Sequence, residues 1–175
     1  MKKQKQHKKH KEPLSWLDIS TFSFYNPPKF NIGREFAVEQ KYIQYKLNLI
    51  EKDISTTENI MLLFKNENEN KNKNDNENKY NLQLNNFPYY LTKNIKHYVL
   101  WINPKYEKEF FISDGSKNEK KNIKKLDKDF IENIICNSLF EGNIKKCRLK
   151  CIFFQNLEKF RSIKNILHLH VFILC

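Results

Sequence analysis

Glycine is scarce in this chain of 175 residues, with three, and proline is hardly commoner, with five. Set beside the abundance of Asn and Lys, that scarcity reads as the drift of an AT-rich coding sequence; a selected nucleic-acid surface is the alternative. The four cysteines, Cys136, Cys147, Cys151 and Cys175, include no C-x-x-C pair. They therefore suit reduced thiols of a cytoplasmic or nuclear protein better than a disulfide framework. Cys147 and Cys151 with His168 and His170 imitate a zinc set, but the two-residue step between the histidines is not that of a zinc finger. No apolar run approaches the length of a membrane span, and the basic opening leads into PLSWLDIS, not into a signal-peptide core, so no membrane is expected.

Apolar residues are also missing locally. Residues 65–79, KNENENKNKNDNENK, contain none, and the tail 1–12, MKKQKQHKKHKE, is comparably polar. Such segments cannot offset the entropy of ordering, which leaves a single domain over 13–175 interrupted by that insert. The formal charge of +12 divides in the same way. The tail contributes +5, the insert nothing, and the Lys-rich stretch 117–128, within a loop read over 115–128, another +4. Such Lys runs attract nucleic acid weakly and non-specifically, and they lack the interleaved aromatics of a single-strand platform.

What remains has clear periodicity. Within 33–52, Phe36, Ile43, Leu47 and Ile50 fall on one helical face by steps of seven, four and three. STTE at 55–58 is a capping box that opens a second helix. HYVLWI at 97–102 is rich in β-branched and aromatic residues and ends at Asn103-Pro104, which predicts a strand. FFIS at 110–113 reads as a short strand. Asp127 caps a third helix that carries Phe130, Ile131, Ile134, Ile135 and Leu139 and stops at Glu141-Gly142-Asn143. KCIFFQN and ILHLHVFIL predict two more strands, joined by LEKFRSIKN. The pattern implies an α+β fold: N-terminal helices followed by an antiparallel sheet with one further helix.

Three segments carry a resemblance: Leu14-Ser15-Trp16 with NIGREFAVEQKYIQYK, then NNFPYYLTKNIKHYVLW, then FFQNLEKFRSIKNILHLHVFI. Together they resemble the N-acetylglucosamine-induced protein 1 family, small proteins built around a domain of unknown function. Asn156, Arg161, Ser162, Ile163, His168, His170 and Val171 match its C-terminal block, while Lys164 and Leu167 depart from its usual Pro and Trp. More distantly, NNFPYY…HYVLWINPKY with Asn156 and H-x-H resembles the histidine triad superfamily, which hydrolyses or transfers nucleotidyl groups. Phe172 stands where that superfamily has its third histidine, and RSIKN replaces its Gly-rich segment.

The likeness implies a histidine-triad-like fold and roles for particular residues. His170 is the candidate catalytic nucleophile, with His168 orienting it or binding a phosphate oxygen. Arg161 and Ser162 are candidate phosphate ligands, and Asn86 and Asn156 candidate ribose or base contacts. His97 completes a three-histidine cluster if its strand lies beside the last. Histidine ligands suit zinc or iron, but no carboxylate is placed to complete a site of His97, His168 and His170, and the cofactor is left unknown. The expected ligand is a phosphorylated small molecule or nucleotide. The opposing reading is a non-catalytic binding or regulatory module in which the histidines are bonded structural groups.

Overall fold

The computed structural model describes residues 12–65, 78–112 and 125–175. Most of the polar tail 1–12, the insert 65–79 and the Lys-rich loop 115–128 lies outside the described residues. The remaining elements form an α+β domain around one four-stranded antiparallel sheet.

The strands are β1 (Tyr80–Leu84), β2 (Ile95–Ile102), β3 (Cys151–Phe154) and β4 (His168–Leu174), in the order β1-β2-β4-β3. Registers set the two faces. Val99 pairs with His170, Trp101 with His168 and His97 with Phe172, while Phe154 lies opposite His170 from the other side. Because strand side chains alternate, these residues share one face. Leu100, Ile102, Leu169, Val171 and Phe153 share the other. There they pack on Ile131, Ile134 and Ile135 of α4 (Lys128–Phe140), with α5 (Ile144–Lys150) beside it. Asp127 caps α4 by accepting from the Phe130 amide, as expected, and the helix ends with Glu141 left-handed at φ 52°.

The histidine face is covered by the N-terminal half. Here lie α1 (Trp16–Ser20), α2 (Phe36–Glu51) and α3 (Thr56–Met61), with Leu14, Ile19 and Ile32 packed on Ile95, Phe154 and Phe172. Both short helices open with reciprocal capping boxes, Ser15 with Asp18 and Ser55 with Glu58. The sheet is thus buried on both sides, which explains why β4 reads as a nearly unbroken apolar run.

Three local expectations change. The apolar face of α2 formed by Phe36, Ile43, Leu47 and Ile50 points to solvent; the helix packs inward through Leu49 and the half-buried Val38, Tyr42 and Tyr45. FFIS is not a strand: Phe110 closes a 3-10 turn (Pro104–Phe110), and only Phe111 bridges, to Leu126. A fifth helix, α5, fills the space read as connection before β3. The four residues that imitate a zinc set in sequence lie apart: Cys147 is in the α4 core and Cys151 packs against it, across the sheet from His168 and His170.

Candidate functional site

The site grows from the turn between β1 and β2. Asn85 accepts from the Phe87 amide at 2.9 Å, an Asx-type turn that leads into Pro88. The chain is then held from outside, as Tyr90 donates to the Gly33 carbonyl at 2.9 Å and Arg34 Nε donates to the Phe87 carbonyl at 3.0 Å. This anchoring drives the backbone N–H of Tyr89 onto His97 Nδ1 at 3.2 Å.

That bond sets the order of protons beyond it. A backbone N–H can only donate, so His97 Nδ1 accepts and the neutral ring carries its proton on Nε2. Nε2 lies 2.9 Å from His170 Nδ1, which must therefore accept, leaving the His170 proton on its own Nε2. That nitrogen is 3.2 Å from the Tyr89 hydroxyl and 3.0 Å from the Asn156 carboxamide. The carboxamide also lies 2.7 Å from the Tyr89 hydroxyl. With His170 donating, the carboxamide satisfies both neighbours when its oxygen is turned towards them, an orientation assigned from the chain of bonds. His97 stacks on Phe172 at a centroid separation of 4.5 Å and meets the Tyr89 ring in a tilted contact at 4.7 Å.

Burial keeps this network uncharged. His97 is pulled down to about 3, by burial first and by the Arg34 charge second. His170 is held well below the ordinary histidine value by burial, then by His97, His168 and Arg34. Tyr89 is pushed up to about 12, chiefly by burial. Both nitrogens of His170 are in use, so no lone pair is left for attack on a substrate.

His168 differs. Its Nδ1 donates to the Ile166 carbonyl at 2.9 Å, which leaves the Nε2 lone pair without a hydrogen bond. Two side-chain polar atoms among the described residues are shut away without a partner, Asn81 Oδ1 and Trp101 Nε1. His168 Nε2 is not one of them, so it opens onto space. That space is a cavity of about 240 Å³ between the sheet and the α2–α3 layer, and His168 and His170 line it with Trp101 and Val99. The opposite wall holds Arg34, Tyr42, Tyr45, Asn59 and Phe87. Among the described residues, Arg34 is the one ionised side chain in the lining. It sits over the Tyr42 ring at 4.2 Å and 3.3 Å from Glu39.

Of the residues singled out in the sequence, His168 and His170 line the cavity, and the exposed Asn86 and Ser162 lie at its edge. His97 and Asn156 stand behind it, both bonded to or beside His170. Arg161 does not line the cavity; its Nε donates to the Asn156 carbonyl at 2.7 Å and braces that loop. Sequence reasoning missed Arg34, Tyr42, Tyr45 and Tyr89. All four lie in the segments that carry the resemblance, in NIGREFAVEQKYIQYK and NNFPYY, where tyrosines spaced three apart on a helix would have flagged one shared face.

These features define an α+β domain with a buried polar cluster beneath a cavity walled in part by aromatic rings. The chain belongs to the family described as Protein of unknown function (DUF3605), whose pattern matches residues 26–174. That span contains every residue lining the cavity. A solved structure, "Crystal Structure of HTC1", is similar at 16% identity, covering 82% of this chain and 76% of that chain with a TM-score of 0.49. No curated protein matches the sequence.

Proposed function

We propose that this protein binds a phosphorylated small molecule, nucleotides among them, in the cavity beneath α2. The observation that carries the reading is the character of the lining: one cation, Arg34, no carboxylate, four aromatic residues in Tyr42, Tyr45, Phe87 and Trp101, and the lone pair of His168. With Nε bonded to the Phe87 carbonyl and Nη1 paired with Glu39, the Arg34 guanidinium is fixed against the Tyr42 ring, and Nη2 is the group left to meet a phosphate oxygen. Flat rings and the carboxamides of Asn59, Asn85 and Asn86 suit a sugar or base attached to that phosphate. The faint likeness to the histidine triad superfamily, whose members hydrolyse or transfer nucleotidyl groups, agrees with a phosphate-bearing ligand.

The arrangement favours binding over attack by His170, whose nitrogens are bonded to His97 and to the Tyr89–Asn156 pair. That supports the module reading, with His168 as the ligand contact. The test is a thermal-shift series with inorganic phosphate, hexose monophosphates and nucleoside mono- and diphosphates, since a ligand of the native state raises its stability. A shift with at least one phosphorylated compound, absent with its unphosphorylated parent and lost in Arg34→Met, supports the reading. Equal shifts from phosphorylated and parent compounds would overturn it.

A further inference from the structure

The outer face of α2 is apolar, and among the described residues nothing covers it. Along its 16 residues, Phe36 is 78% exposed, Ile43 38%, Leu47 46% and Ile50 72%. The inner face, with Leu49, Tyr42 and Tyr45, is already committed to the body of the domain and to the cavity. α2 therefore carries two apolar faces, and only one has a function inside the molecule.

The rest of the chain is too polar to cover it. Residues 1–11 and 66–77 hold one apolar side chain between them, Met1, and residues 113–124 hold only Ile123. The stripe has the spacing of a coiled-coil seam: with Phe36, Ile43 and Ile50 at one core position of the heptad, Gln40 and Leu47 occupy the other. Its flanks carry charges of both signs, Glu39 and Lys46 along one edge and Glu51 on the other. A strongly acidic or basic partner would be opposed by one of these charges. A second α2 running antiparallel about Ile43 is not: Phe36 then faces Ile50 of the partner, Ile43 faces its own copy, and Glu39 comes beside Lys46.

We propose that α2 is a homodimerisation helix, and that two copies of this chain associate isologously through Phe36, Ile43, Leu47 and Ile50. A 16-residue helix is about 24 Å long, so one such seam is small beside the roughly 800 Å² that a stable interface takes from each partner. The dimer is consequently a dynamic one that forms in the micromolar range. Because α2 also walls the cavity through Tyr42 and Tyr45, association and ligand binding meet on one helix.

The experiment is sedimentation velocity of the full chain across a concentration series, with Ile43→Glu, Leu47→Glu and a vesicle co-sedimentation arm using anionic phospholipid. Neither substituted residue lines the cavity. The expected result is a concentration-dependent monomer–dimer boundary whose dissociation constant rises about tenfold or more in each variant, as burial of an unpaired charge requires. Circular dichroism confirms that both variants stay folded. The double variant Lys46→Glu with Glu51→Lys keeps the apolar seam and reads the charge geometry separately: it sets two acidic side chains against one another along the Glu39 edge and weakens the dimer. A chain that remains monomeric at several hundred micromolar overturns the proposal. So does a dimer indifferent to Ile43→Glu, or vesicle binding by a monomer that the same substitution abolishes.

Discussion

His97 and His170 face one another across β2 and β4 with Nε2 and Nδ1 2.9 Å apart, two buried imidazoles joined by a single proton. The pair is offset in register, since His97 stands opposite Phe172 and His170 opposite Val99. Diagonal neighbours on one face of an antiparallel pair are within reach of rings, and here the reach is used for a hydrogen bond. The arrangement works only while both rings are neutral, because a second proton would set donor against donor.

Acid should therefore unfold the protein early. His97 titrates near 3 in the fold, and His168 and His170 are also lowered by burial, whereas the unfolded chain takes up these protons near 6.5. Below that value the unfolded state binds more protons than the native state, so stability falls as pH drops from about 6.5 towards about 3. Each fully titrating histidine contributes about 1.4 kcal/mol per pH unit. Urea midpoints at pH 7.5, 6 and 5 read this before most carboxylates titrate, and a midpoint unchanged from 7.5 to 5 would refute the neutral pair.

The end of α4 offers a gain in stability. Glu141 adopts φ 52°, a left-handed conformation that a side chain with Cβ resists, and Gly142 follows at φ 78°. Glu141→Gly removes that penalty and should stabilise the fold by about 1 kcal/mol, read as a higher denaturation midpoint. Gly142→Ala should have the opposite effect by a similar amount.

What could be read in the sequence followed local signals. The Ser55 capping box, the Asp127 cap and the β-branched run of β2 each depend on neighbours in the chain, and each appears where the sequence puts it. β1 does carry the alternation of a strand in Tyr80, Leu82 and Leu84 ahead of the Asn85 turn, but it is a five-residue run that directly follows the polar insert, and its place is set by pairing along Val99 and Trp101. α5 escaped because IKKCRLK is short and basic and leans on α4 through Arg148, bonded twice to Glu132 at 3.0 and 3.2 Å. The periodicity of α2 revealed a helix but not which face turns inward, since Tyr42 and Tyr45 are polar enough to read as surface. At the site, the pairing of the histidines with each other depended on strand order, and the engagement of Tyr89 depended on a turn held by Gly33 and Arg34, far away in sequence.

The network should also be graded in its sensitivity. Tyr89→Phe removes one hydroxyl while His170 keeps the Asn156 carboxamide, so the expected loss is about 1 kcal/mol. His170→Ala empties a ring from the core and leaves His97 Nε2 and Asn156 without their partner, which should cost about 3–5 kcal/mol. Chemical denaturation of the two variants tests the ranking. Equal losses would mean that His170 packs as an inert ring and that the bonds are incidental.

The three histidines should differ most sharply in reactivity. Diethyl pyrocarbonate acylates an imidazole nitrogen that has a free lone pair and can be reached. His168 meets both conditions: Ile166 holds its Nδ1 proton, burial keeps the ring neutral, and Nε2 opens onto the cavity. His170 also touches the cavity, yet its two nitrogens are engaged by His97 and the Tyr89–Asn156 pair, and His97 lies behind it. Brief treatment of the native protein at neutral pH, followed by peptide mass spectrometry, should therefore label His168 well ahead of His170 and His97. In denaturant the three should react alike, since the difference resides in the fold. A phosphorylated ligand seated against Arg34 should shield His168 and leave the slow labelling of His97 unchanged. Should His170 be labelled as fast as His168 in the native protein, the proton order from Tyr89 through His97 to His170 would be wrong, and the return of His170 as the reactive group would follow.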